Sequence, residues 1–208
     1  MKKAWHKGSV IIVGLTGSIG MGKSETARMF RAAGIPVFDS DAEVHRLMGP
    51  GGKAVPLVEQ EFPGVAGEQG IDRKELGRRV FGDDAALKKL ESILHPMIAR
   101  ERNLFVRHMR LQGHRIVVVD VPLLFETGGD RAVDYTVVVS APALIQKSRV
   151  MARPGMTEER LRAILEKQMP DVEKRRRADF VVQSGLGKRH ARNQVNRIIR
   201  ILEEEANA

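Results

Sequence analysis

The sequence predicts a doubly wound α/β domain on a mainly parallel sheet, and two observations carry that expectation. Five short apolar, β-branched runs alternate with segments of helical period, and the first two runs flank a single helix, which makes a βαβ unit. A length of 208 residues suits one compact domain with a small insertion and is ample for a buried core.

Taken in order, Val10 to Leu15 is a continuous apolar run ended by Thr16-Gly17, which reads as a strand buried on both faces. Lys23 to Ala33 reads as a helix closed by Gly34. Ile35-Pro36-Val37-Phe38 is a second strand whose proline favours an edge or the strand's start. The stretch 49–70 is rich in glycine and proline and reads as loop with at most one helical turn. From Asp72 to Gly113 the pattern is helical, with Leu87, Leu90, Leu94 and Ile98 on one face. Pro96 predicts two helices meeting near His95-Pro96, because a proline inside a helix removes a hydrogen bond and clashes with the turn before it.

Ile116 to Val121 and Val133 to Val139 are further strands, and Pro142 to Met151 reads as a helix. Thr157 caps another helix, with Glu158 and Glu159 in its first turn and Leu161, Ile164, Leu165 and Gln168 along one face, stopped by Pro170. Phe180 to Val182 is a short strand. The last helix shows Val195, Ile198, Ile199 and Leu202 at helical spacing.

Composition narrows the function. There is no cysteine, which excludes a disulfide scaffold, a thiol nucleophile and a Cys-ligated zinc site, and fits a reducing cytosol. No apolar run approaches the ~20 residues that span a bilayer, and the basic start, Met1 to Lys7, precedes too short an apolar stretch for a secretory signal. A cytoplasmic protein without a membrane partner is therefore expected. The net charge of +9 comes from 23 Arg and 12 Lys against 26 acids and implies anionic ligands. Scarce aromatics argue against a surface that stacks single-stranded bases.

Gly17-Ser18-Ile19-Gly20-Met21-Gly22-Lys23-Ser24 fits G-x-x-x-x-G-K-[ST] between a strand and a helix, as a phosphate-binding loop requires. The glycines let backbone N–H groups curl around phosphates, Lys23 reaches the β/γ oxygens, and Ser24 offers its hydroxyl to Mg²⁺. Asp120, ending an apolar strand, either assists Mg²⁺ or caps the next turn. The guanine-reading N-K-x-D pattern of GTP switches is absent.

Asp39 and Asp41 follow the second strand, at the sheet edge where a phosphate loop also lies. One can serve as the acid that accepts a hydroxyl proton, and one can cap the helix beginning near Ala42. Arg149 and Arg153, a helical turn apart before Pro154-Gly155, suit either a closing lid that neutralises a transferring phosphoryl group or a solvated basic face. Lys174 to Arg177 reads as solvated surface. Spacing alone makes His95 structural.

Together the residues resemble the dephospho-CoA kinase family. The matching segments are GLTGSIGMGKS at 14–24, VFDSDAEVHRL at 37–47, LHPMI at 94–98, VVVDVPLLFETG at 117–128, IQKSRVMAR at 145–153 and QMPDVEKRRRADFVV at 168–182. The resemblance covers about residues 9–202. It implies a P-loop NTPase fold: a five-stranded mainly parallel sheet with helices on both faces (core 9–40, 114–145 and 178–208), an inserted helical substrate-binding subdomain (41–113) and a small helical lid (146–177). It implies ATP and 3′-dephospho-CoA as substrates, with Mg²⁺ as cofactor; a monomer, or else a homo-oligomer, without a nucleic-acid partner is expected. Carried residue by residue, it makes Asp41, Lys23 and Arg149 catalytic. ATP falls to residues 17–25 with Arg149 and Arg153, the metal to Ser24 and Asp120, and the acceptor to Asp39, Asp41, His95, Leu123, Phe125 and Glu126. Two departures stand out. Glu25 follows Ser24 where the family usually has Thr, and Ser184-Gly185 stands where many members carry Asn before the glycine bordering adenine.

Two rivals remain at this point. A nucleic-acid-stimulated ATPase would use the charge, though the cations are dispersed. A kinase for another small acceptor would share the loop and lid but gives no reason for Pro122 to Glu126.

Overall fold

The structure is a computed structural model that describes residues 10–207. The basic start, Met1 to Lys7, and the outer limits expected for the core, 9 and 208, lie outside the described residues. In chain order the elements begin with β1 (Ile11–Thr16), α1 (Lys23–Ala32), β2 (Val37–Asp39), α2 (Ser40–Met48), α3 (Val55–Glu61), β3 (Ala66–Gly67) and β4 (Gly70–Ile71). Then come α4 (Arg73–Val80), α5 (Asp84–Leu111), β5 (Ile116–Asp120), β6 (Tyr135–Ser140) and α6 (Ala143–Met151). The chain finishes with α7 (Glu158–Glu166), α8 (Asp171–Arg177), β7 (Phe180–Gln183) and α9 (Lys188–Asn207). It divides into two compact units, one of Asp39–Phe105 and one of the residues before and after it.

The larger unit is built on a five-stranded sheet in the order β2-β5-β1-β6-β7. β1 pairs in parallel with β5 and β6, and β6 with β7. β2 takes the edge, where Pro36 costs no ladder donor and its carbonyl accepts from the Val118 N–H at 2.8 Å. Every residue of β5 and β6 is buried, so these strands are covered on both faces, as their unbroken apolar runs require. On one face Val195, Ile198, Ile199 and Leu202 of α9 pack with Phe30 of α1 against Ile11, Val13, Val118 and Val137. At roughly 1.5–3 kcal/mol per buried aliphatic side chain, this layer is the main source of the unit's stability.

The smaller unit has its own core: Leu47 and Met48 of α2, Val58 of α3, Phe62, Val65, Ile71, Leu76 of α4 and Leu94 of α5. Three expectations change here. The stretch 49–70 holds a seven-residue helix and a two-stranded hairpin. The link between α3 and β3 is fastened by the Glu59 carboxylate, which accepts the N–H groups of Gly64 (2.6 Å) and Ala66 (2.7 Å) and is held by them below the usual carboxylate range. Leu87 is exposed, while Leu94 carries the contact face.

The helix break also falls elsewhere. The chain leaves the helix at Phe81-Gly82-Asp83, where Gly82 takes φ +81° and Asp83 caps α5 by accepting from the Ala85 and Ala86 N–H groups at 2.9 Å. α5 then runs unbroken through Pro96, leaving the Ser92 carbonyl without its helical donor. Leu94, buried just before the proline, and Ile93, Met97 and Ile98, packed on the same core, supply the tertiary support that overrides the local preference.

Pro96→Ala restores that hydrogen bond. It should raise the free energy of unfolding by up to about 3 kcal/mol, read as a higher urea midpoint at unchanged slope.

Candidate active site

β1 ends on Thr16, fully buried, whose hydroxyl donates to the Pro122 carbonyl at 2.9 Å. The loop that follows needs its glycines for two reasons. Gly20 (φ +77°) and Gly22 (φ +92°) lie in the left-handed region, and neighbours crowd them. A Cβ on Gly20 would stand 2.6 Å from Val150 Cγ2, and one on Gly22 would stand 3.1 Å from Ser184 Oγ. Gly22 leads directly into α1, so the loop closes on the positive end of a helix.

Lys23 opens α1 and its ammonium donates to Asp120 Oδ1 at 2.5 Å. Asp120 is the last residue of β5 and is buried. Ser24 is exposed in the first turn of α1. Glu25 turns along the helix surface to Arg28 and to Lys188 (3.3 Å), away from the loop's concave side. Thr26, buried, bonds back to the Gly22 carbonyl at 3.2 Å.

The two arginines expected together separate. Arg149 of α6 is half-buried and fastened beside the loop, donating to Ser184 Oγ and to the Ser184 carbonyl, both at 2.9 Å, and to the Gly20 carbonyl at 3.4 Å. Ser184 Oγ in turn donates to the Met21 carbonyl at 2.5 Å. Arg153 is exposed after the end of α6.

Sequence reasoning missed two side chains that grip the loop. Gln146 of α6, buried, donates through Nε2 to the Ile19 carbonyl at 2.8 Å, and Gln168, following α7, accepts the Ile19 N–H through Oε1 at 3.1 Å. The available signals were the place of Gln146 one turn before Arg149 and of Gln168 on an otherwise apolar helix face.

The basic run at 174–177 is solvated surface at Arg175, Arg176 and Arg177 but not at Lys174. It is the last part of α8, and Lys174 is fully buried, its ammonium 2.8 Å from Glu126 Oε1. The same Glu126 oxygen accepts the Met169 N–H at 2.8 Å. Arg177 lies over the Phe125 ring, 4.6 Å from its centroid, and donates to Asp130 at 2.9 Å. Asp171 accepts from the buried Ser140 hydroxyl at 2.9 Å and meets Arg175 at 3.0 Å. Of the segment Pro122 to Glu126, Leu124 and Phe125 are buried, whereas Leu123 is 39% exposed. Burial acts to push the Glu126 carboxyl up, but the Lys174 ammonium and the Met169 N–H outweigh it and hold the group below its usual range.

In the smaller unit one of the two aspartates takes the capping role left open above. Asp39 caps α2, accepting the Ala42 N–H at 3.0 Å, and Asp41 is exposed in the helix's first turn. His95 is exposed on α5 and is no core histidine. Among the described residues no group of three or more His, Asp or Glu converges to hold a metal. Ser24 and Asp120 supply one hydroxyl and one carboxylate. That hard-oxygen pair fits Mg²⁺, which takes one or two protein ligands and completes its shell with phosphates and water.

A strand-loop-helix phosphate cradle, with an acid at the end of the neighbouring parallel strand, defines a P-loop NTPase of the small-kinase architecture. The family model for dephospho-CoA kinase matches residues 11–188. A dephospho-CoA kinase of Mesorhizobium japonicum is 56% identical over 190 residues, covering 91% of this chain and 95% of that protein. One of Novosphingobium aromaticivorans is 51% identical over 195 residues, covering 93% and 96%. The crystal structure of TT1252 from Thermus thermophilus matches with a TM-score of 0.81 and 34% identity, covering 93% of this chain and 97% of that one. The chain belongs to the dephospho-CoA kinase family. Among the described residues no helix is long and apolar enough to cross a membrane.

The Glu126 carboxyl is held lower in the folded protein than in the unfolded chain, so its ionised form favours folding. That contribution is complete above the unfolded value of about 4.3 and is lost as pH falls through the lower folded value. Thermal unfolding between about pH 6 and pH 3 should show Glu126→Gln starting from a lower Tm, because Lys174 loses its counter-charge, but falling less steeply with acid.

Proposed function

We propose that the chain transfers the γ-phosphate of ATP to the ribose 3′-hydroxyl of 3′-dephospho-CoA, giving CoA and ADP, the last step of coenzyme A biosynthesis. The observation that carries this reading is the family match, which runs unbroken from the phosphate loop through the Pro122 to Glu126 segment and α8. The preformed Lys23–Asp120 contact supports it.

In this reading the 3′-hydroxyl oxygen attacks the γ-phosphorus. The bond to the β–γ bridging oxygen breaks, ADP leaves with the electron pair, and the hydroxyl proton passes to Asp41. Asp41 suits the base because its neighbour Asp39 already serves the α2 backbone. The N–H groups of residues 17–24 hold the phosphates, and Lys23, steadied by Asp120, stands by the β/γ oxygens. Mg²⁺, held by Ser24 and Asp120, would supply charge neutralisation on the phosphates. Arg149 stabilises the charge that spreads over the transferring group, and Arg153, exposed on the 146–177 lid, adds a second positive charge there. His95 and Leu123, both exposed, contact the acceptor. Phe125 and Glu126 shape that site from beneath by fixing α8. Residues 41–113 form the acceptor-binding subdomain, and the enzyme works as a cytoplasmic monomer without nucleic acid. ATP and dephospho-CoA each carry several phosphate oxygens, which accounts for part of the +9 charge.

The test is ADP release with 3′-dephospho-CoA against AMP, gluconate and single-stranded DNA. Turnover is expected with the first alone, and stimulation by another without it would overturn the assignment. Lys23→Ala and Asp41→Asn should each lower kcat at least ~100-fold with unchanged circular dichroism.

A further inference from the structure

We infer that Gln146 and Gln168 are positioning residues of the phosphate loop, and that the buried Lys174–Glu126 pair fixes where Gln168 stands. The inference rests on reading that loop as the ATP site.

Ile19 stands in the loop between Ser18 and Gly20, and both of its backbone polar groups are taken by side chains. Gln168 accepts its N–H and Gln146 donates to its carbonyl. The peptide units on either side of Ile19 are thus held from two points 22 residues apart in sequence. Just beyond, Gly20 and Gly22 have the freest backbones in the loop. A phosphate cradle works only if its N–H groups already converge, and glycines resist that convergence through their conformational entropy. Clamping Ile19 limits what the next residues can sample. Val150, on the same helix that carries Gln146, leaves no room for a side chain at position 20.

The position of Gln168 is set one residue later. Met169 donates its N–H to Glu126, and Glu126 is held by Lys174, which has no solvent to turn to. A fully buried ammonium beside one carboxylate cannot let it go without stranding a charge. α8 therefore acts as a fixed post. From it, Glu126 holds Met169, Met169 places Gln168, and Gln168 holds Ile19. This gives the innermost cation of the 174–177 run a task in nucleotide binding at a distance from the phosphates.

The test measures kcat, the KM of each substrate, ATP affinity by calorimetry without acceptor, and Tm. The variants are Gln168→Met, Gln146→Met, Lys174→Met and Lys174→Met combined with Glu126→Gln, all in the full chain. Loss of one loop hydrogen bond should raise the ATP KM and Kd about five- to tenfold. The KM for 3′-dephospho-CoA and the Tm of the two glutamine variants should stay at the wild-type values. Lys174→Met should show the same loss of ATP affinity, read by calorimetry without acceptor because Glu126 also shapes the acceptor site. The double variant, whose amide oxygen still accepts the Met169 N–H without a stranded charge, should return ATP affinity to within about twofold of wild type. Unchanged ATP affinity in both glutamine variants overturns the inference. So does an equal rise in both KM values with a fallen Tm in the two glutamine variants, which would mark general loosening. Gln168→Met and Gln146→Met decide the matter even where Lys174→Met does not fold. Wild-type turnover of dephospho-CoA separately tests the functional reading.

Discussion

The ion pair between Lys23 and Asp120 is the contact around which the larger unit is arranged. It exists because β1 and β5 run in parallel with Leu15 opposite Asp120, so both strands finish at one edge of the sheet. The chain leaving β1 has six residues, Gly17 to Gly22, in which to turn and present its N–H groups before it enters α1 with Lys23 first. A buried carboxylate at the end of an apolar strand is costly unless a cation meets it, and the loop delivers that cation. The polar partner that makes Asp120 tolerable is therefore also the group that we propose faces the phosphates. Stability and phosphate chemistry depend on the same few atoms.

A second set of charges fastens the 146–177 segment. Four consecutive cations on a helix cannot all face water, since the period of 3.6 turns one of them inward when the helix packs. In α8 that residue is Lys174, which meets Glu126 in the interior, while Arg175, Arg176 and Arg177 spread over the rim toward Asp171, Glu173 and Asp130. A buried pair of this kind contributes little net stability but fixes geometry strongly, because either partner alone would be a stranded charge. The segment whose residues grip the phosphate loop is anchored by that pair.

The smaller unit shows how local preference and packing divide the work. Asp39 and Asp41 are equivalent candidates by spacing, and the cap geometry separates them by engaging the first with a backbone N–H and leaving the second exposed. Pro96 reads as a break, and a sequence pattern can say no more. The apolar residues around it, packed on Val58, Phe62 and their neighbours, keep α5 continuous, and the break moves to Gly82, which tolerates the positive φ a turn requires.

The strands of the sheet, the phosphate loop, the cap at Thr157 and the core face of α9 were all legible in the sequence. Each is governed by a period or a short-range motif, so the residues that decide it lie within a few positions of one another. The glutamines on Ile19, the fastening of Arg149 by Ser184 and the burial of Lys174 were not legible. Those partners are separated by 35 to 149 residues, and a polar side chain carries no local sign of which distant backbone group it will meet. The sequence alone determined which chemistry the chain can attempt: a phosphate cradle, a lysine, an acid at the strand end and a carboxylate for a hydroxyl. Only the tertiary structure decided which side chains hold that cradle in shape. Long-range hydrogen bonds and buried charges acquire partners only when the sheet register and the helix faces have been set.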